Sequence, residues 1–136
     1  MNRLNNPDLG KLILRVLIGG LMLFHGVSKL FHGVDFIQQM LGGLGLPGFI
    51  AYGVYVGEVL APILIIIGYR TRMSAFIVAL TMVFAVALAH SGDLFKLTQH
   101  GGLLLELQWF YFAGSIALMF LGAGKYSVSK GAAPCD

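Results

Sequence analysis

Cysteine and charge are both scarce in this chain. Its one cysteine, Cys135, allows no intrachain disulfide, and without a Cys-x-x-Cys pair the chain cannot run dithiol redox chemistry on its own. Asp, Glu, Lys and Arg make up 11% of its 136 residues, against about 25% in soluble globular domains. The nine Lys and Arg stand singly rather than in a stripe, so the net charge of +3 and the pI of 9.2 do not point to nucleic acid. No small-x-small cleavage site follows the first apolar run, where FHGVSKLFHG stands instead. That run is expected to stay as a span and not to leave as a signal peptide.

Other chemistries lack their motifs. The four histidines form no HxxxH or HxxH pair, so no metal site is expected. The glycines interrupt apolar runs and turns and never link a strand to a helix as a phosphate loop does. Ser28 beside Lys29 has no identifiable oxyanion site and is not a nucleophile system. There is no internal repeat, since Glu58 and Glu106 sit at different depths of their runs.

What the chain has is apolar length. Hydrophobic residues make up 57% of it and the mean hydropathy is +0.84. At about 20 residues per membrane span, its length fits four helices and little else. The expected fold is an all-α integral membrane four-helix bundle forming one domain over residues 1–136. The spans fall at about 9–31, 49–68, 73–90 and 103–121. Arg3, Lys11, Arg15, Arg70, Arg72, Lys125 and Lys130 lie at or beyond one side, and only Lys29 and Lys96 lie toward the other. The positive-inside rule then places both termini in the cytoplasm, N-in and C-in. Between the first two spans, VDFIQQML (Val34 to Leu41) carries Phe36, Ile37, Met40 and Leu41 at helical spacing, which predicts a short helix on the outer interface.

Ionisable groups at membrane depth cost about 2.5–3.5 kcal/mol each on insertion scales, so they face a bundle interior and find partners. His25, Lys29 and His32 share a stripe of span one with Arg15. The expected arrangement is a polar cluster in the outer half made of His25, Lys29, Glu58, His90 and Glu106, with Lys29 and His25 facing Glu106 or Glu58. The plainer alternative has Lys29 snorkelling to the headgroups and His25 donating to a backbone carbonyl. Arg15 is expected to snorkel to the cytoplasmic phosphates.

Glu58 is too short to snorkel from the middle of span two, so it is paired, protonated or facing water. Pro62, four residues on, cannot donate to the Glu58 carbonyl, which predicts a bend there. A structural role in joining two helices and a functional role remain equal readings of this residue. Gly53, Gly57 and Ala61 form a small-xxx-small face for close helix packing. Trp109 suits either an aromatic belt or the wall of a pocket for a flat ligand.

Taken in order, GLGLPG (Gly43 to Gly48), Glu58 within GEVLAPILIIIGYRTR, His90 closing span three, and GAGKYSVSK (Gly122 to Lys130) resemble the DoxX family of small four-helix membrane proteins. The likeness covers nearly the whole chain. The family's tail usually has a proline and an aspartate where Ala123 and Ser129 stand here. The resemblance implies a bacterial inner-membrane protein, with relatives linked to quinone-coupled thiosulfate oxidation and to oxidative-stress complexes with soluble partners. It supplies no established catalytic set.

Three functions fit these residues. The first is a component of a quinone-linked or oxidative-stress-related membrane redox system. In it a quinone would bind among the helices, Glu58, His25 and Glu106 would be the candidate proton-exchanging groups, and Trp109 would stack on the ring. With no intrinsic electron carrier in the sequence, electrons would come from a soluble or membrane partner, and the chain would not be a complete enzyme alone. The second is a non-catalytic membrane partner or assembly subunit, and the third a small proton or solute conduit, which would call for a homo-oligomer.

Overall fold

A computed structural model describes residues 4–132 and 134–136. Arg3, counted above among the basic residues of the inner side, lies outside them. Among the described residues the chain is helical throughout, with no strand beyond a single bridge between Leu97 and Leu103. Five helical stretches succeed one another: α1 (Pro7–His32), α2 (Asp35–Gly43), α3 (Gly48–Ile67), α4 (Thr71–Ala89) and α5 (Glu106–Leu121). Helices α1, α3 and α4 are long and apolar enough to cross a membrane, whereas α5, with 16 residues, is shorter.

Local chemistry sets the boundaries. The Asn6 side chain accepts from the Leu9 amide at 3.1 Å and Pro7 opens the first turn of α1, as a helix start requires. Gly33, at φ 79°, ends it. Gly68 closes α3 in the left-handed conformation, with its amide on the Leu64 carbonyl at 2.9 Å, and a two-residue turn leads straight into α4. The fourth apolar helix starts at Glu106 and not at the expected 103 because the preceding residues are used in a turn. The Leu104 amide bonds the Lys96 carbonyl and the Thr98 amide bonds the Gly102 carbonyl, both at 2.7 Å.

Four of the five stretches share one core. Ile18 and Met22 of α1, Ala61 and Ile65 of α3, Val78 of α4 and Leu118 of α5 are buried against one another. Very close approaches are permitted where a side chain is missing. A Cβ on Gly57 would lie 1.9 Å from Thr81 Oγ1, so α3 and α4 meet only because Gly57 has none. Ala61 packs on the same face, but Gly53 has open space beside it. The predicted short helix is α2, which folds back against the start of α3 through Val34, Leu41 and Ala51.

Arg15 corrects the sequence reading. It does not snorkel, being only 1% exposed. Its guanidinium donates to four backbone carbonyls, Ile65 at 3.0 Å and Ile66 at 2.9 Å from the end of α3, and Ala123 at 2.7 Å and Tyr126 at 2.8 Å from the tail. The tail is fastened further by Val128 to the Ile67 carbonyl, by the Ser129 hydroxyl to the Gly68 carbonyl and by the Lys125 amide to the Asp8 carboxylate. Five planar donors allow one arginine to collect carbonyls from the end of one helix and from the tail at once.

Candidate functional site

At the opposite end of α1 the helices diverge around a cleft of about 640 Å³. The irregular course of α3 shapes it. This stretch runs through a 3₁₀ segment (Gly48–Tyr52), a short α turn, a π turn (Val56–Leu60) and a regular α segment (Ala61–Ile67). Pro62 has no N–H to give the Glu58 carbonyl, and the ladder responds by widening, with the Ala61 amide reaching five residues back to Val56. The irregularity predicted from Pro62 therefore falls on Glu58. Its carbonyl presses against α1 at Gly26, where a Cβ would come within 2.1 Å of the oxygen.

The same turn brings the Glu58 carboxylate to Lys29. Nζ lies 2.6 Å from both carboxylate oxygens, with Glu58 5% and Lys29 22% exposed at the side chain. Opposite charges at this depth lower the insertion cost of each other, which is why α1 tolerates a lysine here. Tyr55, one turn before Glu58, donates its hydroxyl to the Lys29 carbonyl at 3.2 Å and ties α3 to the last turns of α1. Of the two partners considered for Lys29, the structure selects Glu58.

His25, one turn before Lys29, also lines the cleft. Its ring meets Tyr111 of α5 edge-on, with centroids 5.9 Å apart and planes at 89°. Among the described residues neither the His25 nitrogens, the Tyr111 hydroxyl nor the Gln108 amide takes a hydrogen-bond partner. The backbone-carbonyl alternative for His25 is therefore not what the structure has. His90, at the end of α4, lines the cleft too, with Nδ1 3.5 Å from the Asp93 carboxylate. Most of the remaining wall is apolar, and α2 supplies Phe36, Ile37, Met40 and Leu41 to it.

Two of the expected cluster members are elsewhere. Glu106 is exposed at the start of α5, and Trp109 faces a separate groove, its indole donating to the Leu94 carbonyl at 3.3 Å. Helical rotation explains this. At roughly 100° per residue, 106 and 109 fall on one face and 107, 108 and 111 on the opposite one. The cleft side of α5 is thus Leu107, Gln108 and Tyr111, which the sequence reading passed over because neutral polar residues near a boundary resemble a belt. Their i, i+3 spacing was the available signal.

The Asp93 carboxyl outside the spans is held below the usual carboxylate range, first by the hydrogen bond from Lys96, 2.8 Å away, and less by His90. Among the described residues no three His, Cys, Asp or Glu side chains gather as a metal site would need.

The sequence profile of the DoxX family matches residues 10–91. This chain belongs to the DoxX family. The matched part of this DoxX protein contains His25, Lys29, Glu58 and His90, whereas α5 and the tail lie beyond it. "Putative oxidoreductase CatD" of Bacillus subtilis is 37% identical over 79 residues, which cover 58% of either chain. An uncharacterized protein of Haemophilus influenzae is 33% identical over 126 residues, 86% of either chain. No solved structure matches this DoxX protein significantly.

Proposed function

We propose that this DoxX protein is a four-span protein of the bacterial inner membrane, with both termini in the cytoplasm, that binds a quinone in its cleft as a component of a membrane redox system. The seven-to-two distribution of basic residues supports the orientation. Helix α5 rises about 24 Å, short of a hydrocarbon core of about 30 Å, and the turn before it completes the crossing. The word oxidoreductase in the Bacillus relative's name supports the reaction class.

One observation carries the binding reading. A mostly apolar cleft of about 640 Å³ holds three polar groups with no hydrogen-bond partner among the described residues, His25, Gln108 and Tyr111, together with the Lys29–Glu58 ion pair. Ligand pockets have this composition, a largely apolar wall with a few converging polar groups, at volumes of about 300–1,000 Å³. A quinone fits, since its two carbonyl oxygens need donors and its ring needs apolar walls. When bound it supplies reversible two-electron, two-proton chemistry. The Gln108 amide and Tyr111 hydroxyl would hold its oxygens as donors, and His25 would give or take a proton at a ring nitrogen. Glu58 neutralises Lys29 at the edge of the cleft, so the ion pair presents a paired donor and acceptor to whatever enters it. Electrons come from a partner protein.

The test is to purify the protein from its own membranes and identify co-purifying molecules by native mass spectrometry. A quinone-sized mass shift in the wild type that is lost in Glu58→Gln is the expected result. A chain carrying only phospholipid would remove the binding reading and leave the non-catalytic membrane partner in its place.

A further inference from the structure

A second pocket lies on the other side of the seam between α4 and α5. It measures about 390 Å³, and Val83, Val86 and Ala87 of α4 face Leu105, just before α5, and Trp109 and Phe112 of α5 across it. Leu94, whose carbonyl takes the Trp109 indole proton, forms part of its lining. Apart from Ser91 and Gln108, no polar side chain reaches it. Two residues, Met82 and Gln108, line both this groove and the cleft. These two side chains, one from each helix, border both compartments. Met82 belongs to the buried core but is unbranched and adapts its shape readily, and Gln108 has no hydrogen-bond partner among the described residues.

We propose that this groove holds the apolar tail of the ligand whose head occupies the cleft, and that the seam at Met82 and Gln108 is its lateral way in from the bilayer. The proposal rests on the reading of the cleft as the head-group site of a lipophilic carrier, and its occupant is an isoprenoid or alkyl chain joined to that head. The two compartments divide by chemistry as such a molecule does. The cleft offers donors and an ion pair, and the groove offers hydrocarbon. Gln108 is placed to serve both, its amide toward the head and its methylenes toward the first carbons of the tail.

The groove adds little affinity, because lipid chains surround a tail with hydrocarbon as apolar as Val and Leu side chains. What it contributes is direction. A head reaching the cleft by this seam presents its ring to Gln108 and Tyr111 first, with His25 and the ion pair beyond.

The experiment uses the full chain in vesicles of phosphatidylethanolamine and phosphatidylglycerol and two quinones, one with a photoreactive diazirine on its tail and one with it on the ring. Adducts are located by mass spectrometry. Tail label on Val86, Ala87 or Phe112, lost on adding excess quinone without a tail, is the expected result, with ring label on α1 and on the cleft face of α5. Ala87→Phe, which fills the groove, should abolish the groove label while ring label stays in the cleft. Tail label spread over outward-facing Phe24, Ile63 and Phe120 with ring label still in the cleft overturns the inference and leaves the head-group site standing. Groove label undiminished by the tail-less quinone marks an independent lipid groove and overturns it as well. Ring label absent from the cleft removes both readings.

Discussion

The same helix carries two basic side chains in opposite circumstances. Arg15, near the start of α1, is enclosed and donates to four backbone carbonyls. Lys29, near its end, has a single carboxylate partner and keeps partial access to a cleft. The first arrangement joins the ends of α3 and the tail to α1 and leaves no room for a ligand. The second leaves neighbouring polar groups without partners. A charge satisfied by backbone holds a fold together, and a charge satisfied by one mobile side chain remains open to chemistry.

This contrast breaks most severely at the Arg15 end of α1. Arg15→Met should lower stability by at least about 3 kcal/mol, because the Ile66, Ala123 and Tyr126 carbonyls lose their donor while Ile65 keeps the Gly68 amide, and each carbonyl left without one costs about 1–3 kcal/mol. Arg15→Lys should recover only part of that, since a point charge with three donors cannot reach carbonyls from two segments at once. Thermal unfolding in one fixed detergent measures both, and a wild-type melting curve for Arg15→Met would dissolve the distinction drawn here.

At the cleft end the loss should be smaller and separable from function. Glu58→Gln leaves Lys29 unpaired and should cost about 2–3 kcal/mol, toward the low end for a broken buried pair because Lys29 is partly exposed to the cleft. Replacing both partners, Lys29→Met with Glu58→Met, should restore most of the stability without restoring ligand retention. If the double variant is no more stable than Glu58→Gln, the pair is structural in the same sense as Arg15.

The contact that sets the cleft wall gives a third test. Gly26→Ala drives a methyl group into the Glu58 carbonyl and should cost about 1–3 kcal/mol as an overpacked contact. Gly20→Ala in the same helix meets nothing within 4 Å and should gain up to about 1 kcal/mol of helix propensity. Opposite signs for the two alanines, read from melting temperatures, are the expected outcome.

The smallest effect is on the loop between α4 and α5. The Asp93 carboxyl is held below its ordinary value of 3.8 by Lys96. A depressed folded value means that its contribution is fully present above the ordinary range and is lost as pH falls through the folded one. Trp109 fluorescence, which reports the Leu94 contact, should be flat near neutral pH and change only below the ordinary carboxylate range. Asp93→Asn should remove that step.

Much of this architecture is legible from residue order, and the limits have physical causes. Runs of apolar residues bounded by Pro7, Gly33 and Gly68 locate helices to within a few positions. Glu58 and Pro62 locate the widened turn, because a proline's missing donor acts on a fixed neighbour. Arg15 misleads because its acceptors are backbone carbonyls from segments 50 or more positions away, and carbonyls leave no mark in a sequence. Glu106 and Trp109 mislead because charge and aromaticity were weighed ahead of rotation about α5. Tyr111 and Gln108, chemically milder, occupy the side that faces Lys29 and Glu58.

The four-carbonyl tie at Arg15 also orders the protein's birth. Arg15 leaves the ribosome long before Ile65, and the acceptors at Ala123 and Tyr126 lie 108 and 111 positions downstream. Until those residues are translated, the nascent chain carries a buried-to-be cation with half of its acceptors missing. The first helix therefore reaches its folded surroundings only after segments more than a hundred positions downstream have been made.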